Sequence, residues 1–289
     1  VRYICNKWSC GNMVLALMLT RQCNFQCRHC MVNSTYQDSM AEPGVIEKFI
    51  TMCQRWRPDQ IYLLGGEVLL KFEAVEKIVS RVRAFTKEIV VFTNGTFLLN
   101  EEKEKKVKAL NITVRISDDR FHREFWSDKL KEKIESSQYW VVSKSEEEDM
   151  IPVGRAYEEF KHLKYNMGCS LLTGVYDAGY PNGHRCMIMM NGDVNLYCAT
   201  IEAALANVYE DENITYELLV KRERILHNYL AENVLEKVED TYMAKLCNEC
   251  PHYKITEKAI YYKGRQVAFV KDYAENYINL YEKFSRDGK

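Results

Sequence analysis

Apolar and polar positions between residues 13 and 165 alternate between the period of a strand and the period of a helix. Short apolar runs predict buried strands, and apolar residues at helical spacing between them predict amphipathic helices. The predicted strands are Met13–Leu19, Gln60–Leu64, Glu88–Phe92, Ile112–Ile116 and Tyr139–Val142. The predicted helices are Val45–Trp56, Phe72–Phe85, Glu101–Leu110 and Glu124–Ile134. Repeated strand–helix units of this length predict an α/β fold with parallel strands and right-handed crossovers.

Polar or glycine-rich motifs follow four of these strands at the points where they end. In chain order they are a cysteine triplet, Gly65-Gly66-Glu67, Thr93-Asn94-Gly95 and Ser117-Asp118-Asp119. The carboxyl ends of parallel strands meet at one edge of a sheet, where such folds carry their chemistry. We therefore expect a functional site on this rim.

The alternation ends after about residue 180, which predicts a second, smaller domain. Gly183–Cys198 has the pattern of a β-hairpin with its turn at Asn191-Gly192-Asp193. Glu217–Lys237 is predicted as a helix, Cys247–Cys250 as a knuckle and Asp272–Phe284 as a closing helix.

Composition excludes several classes of protein. The 289 residues are 47% hydrophobic and 28% charged, a balance typical of globular chains. Lys and Arg number 40 against 41 Asp and Glu, so no basic excess indicates a nucleic-acid partner. The apolar run Met13–Leu19 is far shorter than the roughly 20 residues of a membrane span and lacks the features of a signal peptide. We expect no membrane partner and a cytoplasmic location.

Eleven cysteines are the unusual feature of the composition. In a reducing compartment, clustered cysteines more often bind metal than form disulfides. Cys23, Cys27 and Cys30 form a C-x3-C-x2-C run, and such a set of thiolates suits an iron–sulfur cluster. Three ligands for four irons leave one iron open to a reactant. The alternative, a structural zinc loop, needs a fourth ligand, and His29 offers an awkward geometry because it adjoins Cys30.

This cysteine run after a first strand resembles the signature of the radical AdoMet (radical SAM) superfamily. The resemblance implies a partial (β/α)6 TIM-like barrel over residues 13–180, preceded by an N-terminal extension, 1–12. It also implies S-adenosylmethionine (AdoMet) and a [4Fe-4S] cluster as cofactors, and an electron from a flavodoxin or ferredoxin. In that family AdoMet is cleaved reductively to a 5′-deoxyadenosyl radical, which abstracts a substrate hydrogen atom. The cofactors do this chemistry, and the protein binds and aligns them.

The resemblance extends to residues expected to bind AdoMet. Gly65-Gly66-Glu67 is similar to the family's GGE loop, which binds the methionine amino group, although Val68 stands where a proline usually follows. Thr93 and Asn94 are similar to the TNG motif that lines the AdoMet pocket. Ser117 and Arg155 resemble positions that contact the ribose and the carboxylate, and a surface position for Arg155 is the alternative. His29 is also counted among the cofactor-binding residues.

A second cysteine set, Cys186, Cys198, Cys247 and Cys250, resembles the twitch domain, a truncated SPASM domain with one auxiliary [4Fe-4S] cluster. We place this domain at 181–262 and a C-terminal helix at 263–289. A structural zinc site fits the spacing equally well in isolation. Cys169 competes with Cys198 as a ligand. As a free thiol, Cys169 could donate a hydrogen atom to a substrate radical, although free cysteines are commonly inert and buried.

Three functions remain open at this point. The leading hypothesis is modification of a ribosomally made peptide by epimerisation, cross-linking or oxidation. The second is a dehydrogenase or epimerase of a sugar- or aminocyclitol-like molecule, with Asp118 or His122 taking the proton and the auxiliary cluster the electron. About a dozen residues precede the barrel, too few for a peptide-recognition domain, and this favours the second hypothesis slightly. A helix cap is the structural alternative for Asp118 or Asp119. The third is a zinc-binding module without catalytic activity.

Overall fold

A computed structural model of the chain describes residues 13–143, 154–160, 185–196, 203–234 and 249–274. These residues divide into two compact units. The N-terminal unit contains residues 15–143, 154–160 and 187–192. The C-terminal unit contains the other described residues.

A parallel β-sheet forms the centre of the N-terminal unit. Five neighbouring strands of the sheet have the order β5-β4-β3-β2-β1. Strand β2 pairs parallel with β3, β3 with β4, and β4 with β5. The strands are β1 Val14–Thr20, β2 Gln60–Gly65, β3 Glu88–Thr93, β4 Thr113–Asp118 and β5 Trp140–Ser143. All seven residues of β1 are buried, as expected for a strand covered on both faces. The predicted α/β fold with a parallel sheet is confirmed.

Helices connect the parallel strands of the N-terminal unit. They are α1 Pro43–Trp56, α2 Phe72–Val82, α3 Glu101–Ala109, α4 Arg120–Arg123, α5 Asp128–Glu135 and α6 Arg155–Phe160. Short 3-10 helices lie at Val68–Lys71, Arg83–Phe85 and Thr96–Leu99. In α1 the buried residues include Val45, Ile46, Phe49 and Ile50, which share one face of the helix.

The predicted helix Glu124–Ile134 is wrong at its start. Helix α4 ends at Arg123, and α5 begins only at Asp128. The side chain of Ser127 accepts a hydrogen bond from the Leu130 N–H, which fixes a new helix N-terminus there. Apolar periodicity alone does not show this break, because Leu130 and Ile134 lie on the same buried face of α5.

Among the described elements that follow α6 in the chain, the strands are mostly joined by antiparallel pairing. Strand β6 (Arg185–Ile188) leads into β7 (Asp193–Leu196) through a turn in which the Gly192 N–H donates to the Met189 carbonyl. Strand β7 pairs antiparallel with β8 (Ala206–Asn207). The remaining elements are α7 Tyr216–Asn233 and a three-stranded antiparallel sheet of β9 Tyr253–Ile255, β10 Ala259–Tyr262 and β11 Arg265–Phe269.

The segment predicted as a C-terminal helix begins instead as a strand. Strand β11 pairs with β10 through a two-residue turn, Lys263-Gly264, with φ of 48° and 77°. Positive φ at both central residues is the requirement of a type I′ hairpin turn, which the glycine meets easily. A short 3-10 helix follows at Val270–Tyr273, and residues 275–289 lie outside the described residues.

None of the helices within the described ranges combines the length and the apolar character that crossing a membrane requires.

Candidate functional site

Three thiols lie together in the loop that follows β1. Cys23 and Cys27 are buried, and Cys30 is partly exposed. The backbone N–H of Phe25 donates to the Cys23 Sγ at 3.3 Å, and the N–H of Ser34 donates to the Cys30 Sγ at 3.4 Å. Hydrogen bonds of this kind favour the charged form of the acceptor, so the loop is built to hold thiolates.

Burial and neighbouring negative charges raise the pKa values of Cys23 and Cys27. Burial and the nearby charges of Glu67 and Cys30 raise the pKa of Cys23 to about 11, against its hydrogen bonds. Burial, followed by the charges of Cys23 and Cys30, raises the pKa of Cys27 as well. A bound metal supplies the positive charge that deprotonates coordinating thiols. Three clustered thiols that repel one another when ionised therefore fit an iron–sulfur cluster.

Glu67 is buried beside this loop and its carboxylate is used inside the protein. Its Oε1 accepts hydrogen bonds from the Leu69 N–H at 3.0 Å and the Thr93 hydroxyl at 2.8 Å. Its Oε2 accepts from the Asn94 N–H at 2.7 Å. Burial raises the pKa of Glu67, and these three donors oppose that shift. Three of about four acceptor positions are occupied, so the carboxylate joins the loops after β2 and β3. Its contact with the AdoMet amino group stays a prediction.

The two glycines before Glu67 have a related role. A Cβ at Gly65 would lie 2.2 Å from the Thr20 carbonyl oxygen, and one at Gly66 would lie 2.4 Å from the Gln22 oxygen. The Gly66 N–H also donates to the Thr20 carbonyl at 2.8 Å. Glycine is needed here because two stretches of backbone touch. The close approach predicted towards a ligand is observed towards the chain that enters the cysteine loop.

Asn94 links the loop after β3 to the cysteine loop. Its Nδ2 donates to the Asn24 Oδ1 at 2.8 Å and lies 3.9 Å from the Cys23 Sγ. Its Oδ1 accepts from the backbone N–H and the hydroxyl of Thr96. Asn94 is buried, and these contacts support the position of Cys23 from the side.

The next two candidate residues, Ser117 and Asp118, lie at the end of β4. Ser117 is half-buried, next to the end of the strand. Asp118 accepts hydrogen bonds from Nε and Nη2 of Arg123 at 2.5 and 2.9 Å. The ion pair with Arg123 occupies both carboxylate oxygens, which argues against Asp118 as the base.

The neighbouring Asp119 organises two histidines. Its Oδ1 caps α4 by accepting from the N–H groups of Phe121 and His122, both at 3.0 Å. Its Oδ2 lies 2.7 Å from Nδ1 of His122 and 3.6 Å from Nε2 of His29. Burial opposes ionisation, but the hydrogen bond and charge of His122 and the charge of His29 lower the pKa of Asp119. Asp119 is therefore the helix cap that the sequence suggested as an alternative, and its carboxylate is buried.

His29 completes this cluster from the cysteine loop. Its ring stacks on Phe121 with centroids 4.6 Å apart, and it meets His122 edge-on at 5.0 Å. A metal ion could be held by three residues whose ligand atoms lie within 4.8 Å of one another: His29, Asp119 and His122. Since a hydrogen bond already joins His122 to Asp119, we interpret the group as a hydrogen-bonded cluster at the edge of the cysteine loop.

Arg155 makes hydrogen bonds to the cysteine loop that the resemblance did not imply. Its Nη1 donates to the Cys27 carbonyl at 2.9 Å, and its Nη2 donates to the Ser34 carbonyl at 2.5 Å. Its backbone N–H donates to the Cys30 carbonyl at 3.0 Å. The guanidinium group is thus engaged with the cysteine loop, and a contact with the AdoMet carboxylate is not what this geometry favours.

Several of the candidate cysteines cannot be placed. Cys169, Cys198 and Cys247 lie outside the described residues. Cys186 and Cys250 are both buried in the C-terminal unit, with 1% and 7% exposure. The auxiliary cluster and the hydrogen-donating thiol therefore stay predictions.

A comparison with protein families decides the membership of the chain. The profile of the Radical SAM superfamily matches residues 17–173, just over half of the sequence, including the cysteine loop. The chain belongs to the radical SAM superfamily. This family implies AdoMet and a [4Fe-4S] cluster, and the thiols of Cys23, Cys27 and Cys30 fit such a cluster.

Two curated relatives are similar to this chain over part of their length. A protein named probable GTP 3′,8-cyclase from Pyrococcus abyssi is 30% identical over 110 residues, which cover 38% of this chain and 35% of the cyclase. A protein named putative peptide biosynthesis protein YydG from Bacillus subtilis is 26% identical over 134 residues, 44% of this chain and 42% of that protein. The chain thus matches less than half the length of either relative.

Among solved structures, native anSMEcpe with bound AdoMet and a Cp18Cys peptide has a TM-score of 0.48 and 15% identity to this chain. The match covers 83% of this chain and 88% of that one. BtrN in complex with AdoMet and 2-DOIA has a TM-score of 0.45 and 17% identity, covering 75% and 90%.

Sequence reasoning missed two features of this radical SAM site. One is the set of hydrogen bonds from Arg155 to loop residues more than 120 positions away, which no local spacing reveals. The other is the link between Asp119 and His122, for which the spacing of an Asp three residues before a His at a helix start was a usable signal.

Proposed function

We propose that the chain is a radical AdoMet enzyme that modifies a peptide, with Cys23, Cys27 and Cys30 as the ligands of its AdoMet-cleaving cluster. The convergence of three thiols and two sulfur-directed N–H groups in one loop carries the assignment of the ligands. When bound, the cluster and AdoMet supply the one-electron cleavage that removes a hydrogen atom from an unactivated carbon. The electron comes from a low-potential donor, for which a flavodoxin or ferredoxin is the proposed class.

The chain's own residues hold and shield this centre. Glu67 and Asn94 fix Cys23 from the side of β2 and β3, and Gly65 and Gly66 allow the loops to touch. His29, stacked on Phe121, forms an aromatic wall next to Cys30. Ser117 and His29 remain our candidates for contact with AdoMet, because both are partly exposed at the rim. A cytoplasmic location belongs to this proposal, since low-potential clusters need a reducing environment.

The choice of a peptide substrate has a narrower basis. The relatives named above have different stated roles, a GTP cyclisation and a peptide biosynthesis, and share with this chain only a part of their length. The similarity to the peptide biosynthesis protein and the resemblance of the second cysteine set to a twitch domain support a peptide. Epimerisation, cross-linking and oxidation are all compatible with this proposal.

The Asp119–His122 pair favours a second candidate, the dehydrogenation of a sugar- or aminocyclitol-like molecule. The Asp119 carboxylate next to Nδ1 of His122 favours the tautomer with the proton on Nδ1, which leaves Nε2 as an acceptor. A histidine oriented in this way can take a proton from a substrate carbon or hydroxyl. Dehydrogenation removes one hydrogen atom, one proton and one electron from the substrate, so it also needs an electron acceptor, for which an auxiliary iron–sulfur cluster is our proposal.

The first experiment tests the cluster ligands. Anaerobically reconstituted protein should contain about eight irons per chain if two four-iron clusters are present. Replacing Cys23, Cys27 and Cys30 together by Ala should leave about four irons and abolish AdoMet cleavage. Cys53→Ala, which removes a buried thiol from α1, is the matched control and should retain both. AdoMet cleavage by the triple variant at the wild-type rate would refute the assignment.

The second experiment distinguishes the substrate classes. Peptides encoded beside the gene are incubated with the reconstituted enzyme in deuterated water and then analysed by mass spectrometry. One deuteron fixed at a Cα indicates epimerisation, and a loss of two hydrogens indicates oxidation or cross-linking. If no such peptide is altered and an aminocyclitol is oxidised instead, the peptide proposal is wrong and the dehydrogenase is correct.

A further inference from the structure

Arg155 donates three hydrogen bonds to the loop that carries the three cysteines. The two guanidinium bonds reach the carbonyls of Cys27 and Ser34, and the backbone bond reaches the carbonyl of Cys30. These acceptors span the loop from its second cysteine to its end. One residue from α6 therefore fixes the loop at three points.

Gly154, the preceding residue, brings the backbone close enough for these bonds. It has a φ of 59°, and a Cβ at this position would lie 2.2 Å from the Met31 carbonyl oxygen and 3.0 Å from the Cys30 oxygen. Only glycine combines a left-handed conformation with such close backbone contact. Gly154 and Arg155 thus form one unit that fits against the loop between Cys27 and Ser34.

The hydrogen bonds from Arg155 affect which way the peptide groups of the cysteine loop point. Carbonyl oxygens near thiolates would repel them, whereas N–H groups stabilise them. Arg155 holds the carbonyls of Cys27 and Ser34, while the N–H of Ser34 points to the Cys30 sulfur. The rigid fork of a guanidinium suits this task, because its donors have fixed relative positions.

From this arrangement we propose that Arg155 is a positioning residue, which holds the cysteine loop in the conformation that binds the cluster. The inference rests on the proposed ligand role of Cys23, Cys27 and Cys30. It assigns Arg155 to the loop and not to the carboxylate of AdoMet. Loss of the guanidinium should loosen the loop before any cluster is bound, and it should weaken the retention of iron afterwards.

Hydrogen exchange of the full-length, cluster-free chain provides the first readout. In Arg155→Lys, which keeps the charge but loses the fork, peptides covering residues 23–35 should exchange faster than in the wild type. Gly154→Ala should have the same effect through a steric cause. Arg28→Ala is the matched control, because this arginine of the same loop pairs with the Glu124 carboxylate. It should leave the exchange of residues 29–35 unchanged.

Iron retention of the reconstituted full-length protein is the second readout. Loss of a residue that orients metal ligands typically lowers metal affinity by roughly 10- to 100-fold. We expect chelator-driven iron release from Arg155→Lys to be about 10-fold faster than from the wild type, with no change for Arg28→Ala. Supplying AdoMet should not restore the wild-type rate.

Two results would overturn the inference. Wild-type loop exchange and iron release in Arg155→Lys would show that the contacts do not position the loop. A loss of AdoMet affinity with both readouts unchanged would return Arg155 to the AdoMet carboxylate. Iron-free wild-type protein would refute the proposed cluster instead, while loop exchange in the cluster-free chain would still test Arg155.

Discussion

Glu67→Gln tests whether this carboxylate joins two loops or binds AdoMet. In the wild type its two oxygens accept from the backbone N–H groups of Leu69 and Asn94 and from the Thr93 hydroxyl. Glutamine has nearly the same size but only one oxygen, so its NH2 group must face at least one of these donors. Because the side chain is buried, with 1% exposure, water cannot replace the lost acceptor.

The cost follows from these contacts. A buried donor left without an acceptor costs about 1–3 kcal/mol, and a hydrogen bond to a neutral oxygen is weaker than one to a carboxylate. We therefore expect Glu67→Gln to lower the free energy of unfolding by about 2–3 kcal/mol. Hydrogen exchange should increase in peptides covering residues 67–70 and 93–96, where the released N–H groups lie.

The assay is urea unfolding of the full-length, cluster-free chain together with hydrogen exchange, which reports on the N-terminal unit separately. Glu102→Gln is the control, since Glu102 is exposed and its carboxylate pairs with Lys106 one turn away. It should be indistinguishable from the wild type in both measurements. Unchanged unfolding of Glu67→Gln with a tenfold weaker AdoMet affinity by calorimetry would refute our reasoning and restore Glu67 as the ammonium ligand.

Two further predictions concern a close contact and an ion pair. Gly66→Ala should reduce the iron content of the reconstituted protein, because its Cβ would lie 2.4 Å from the Gln22 carbonyl oxygen. Normal iron content would show that the loop after β2 and the cysteine loop can move apart without loss of the cluster. Burial opposes the shift, but the Arg222 hydrogen bond lowers the pKa of Asp211, so this carboxylate stabilises the fold above its unfolded pKa of about 3.8. That stability is lost as the pH falls through the lower folded pKa. The unfolding midpoint should therefore fall less steeply with decreasing pH in Asp211→Asn than in the wild type. Equal slopes for the two proteins would contradict this explanation.

Local sequence patterns were sufficient to predict the parallel sheet and the position of the site. Strand periods, helix periods and the motifs after each strand depend on residues close together in the chain, and these gave the strands β1 to β5 and the rim. The cysteine spacing likewise predicted a metal-binding loop, because three thiols within eight residues are near one another in any compact loop. The start of the C-terminal helical segment at residue 263 is wrong, because the turn Lys263-Gly264 makes residues 265–269 a hairpin strand, while most of the predicted helix Asp272–Phe284 lies outside the described residues.

The tertiary structure alone decided what the polar residues around the thiols contact. Glu67 accepts from Asn94, 27 positions further along the chain, and Arg155 donates to Cys27 across 128 positions. Such partners are set by which loops the sheet brings together, and periodicity contains no information about them. A buried carboxylate must find hydrogen-bond partners, and both Glu67 and the partly buried guanidinium of Arg155 find theirs in the protein. The sequence thus determined which residues gather at the rim, and the packing of the loops determined that Glu67 and Arg155 support the cysteine loop.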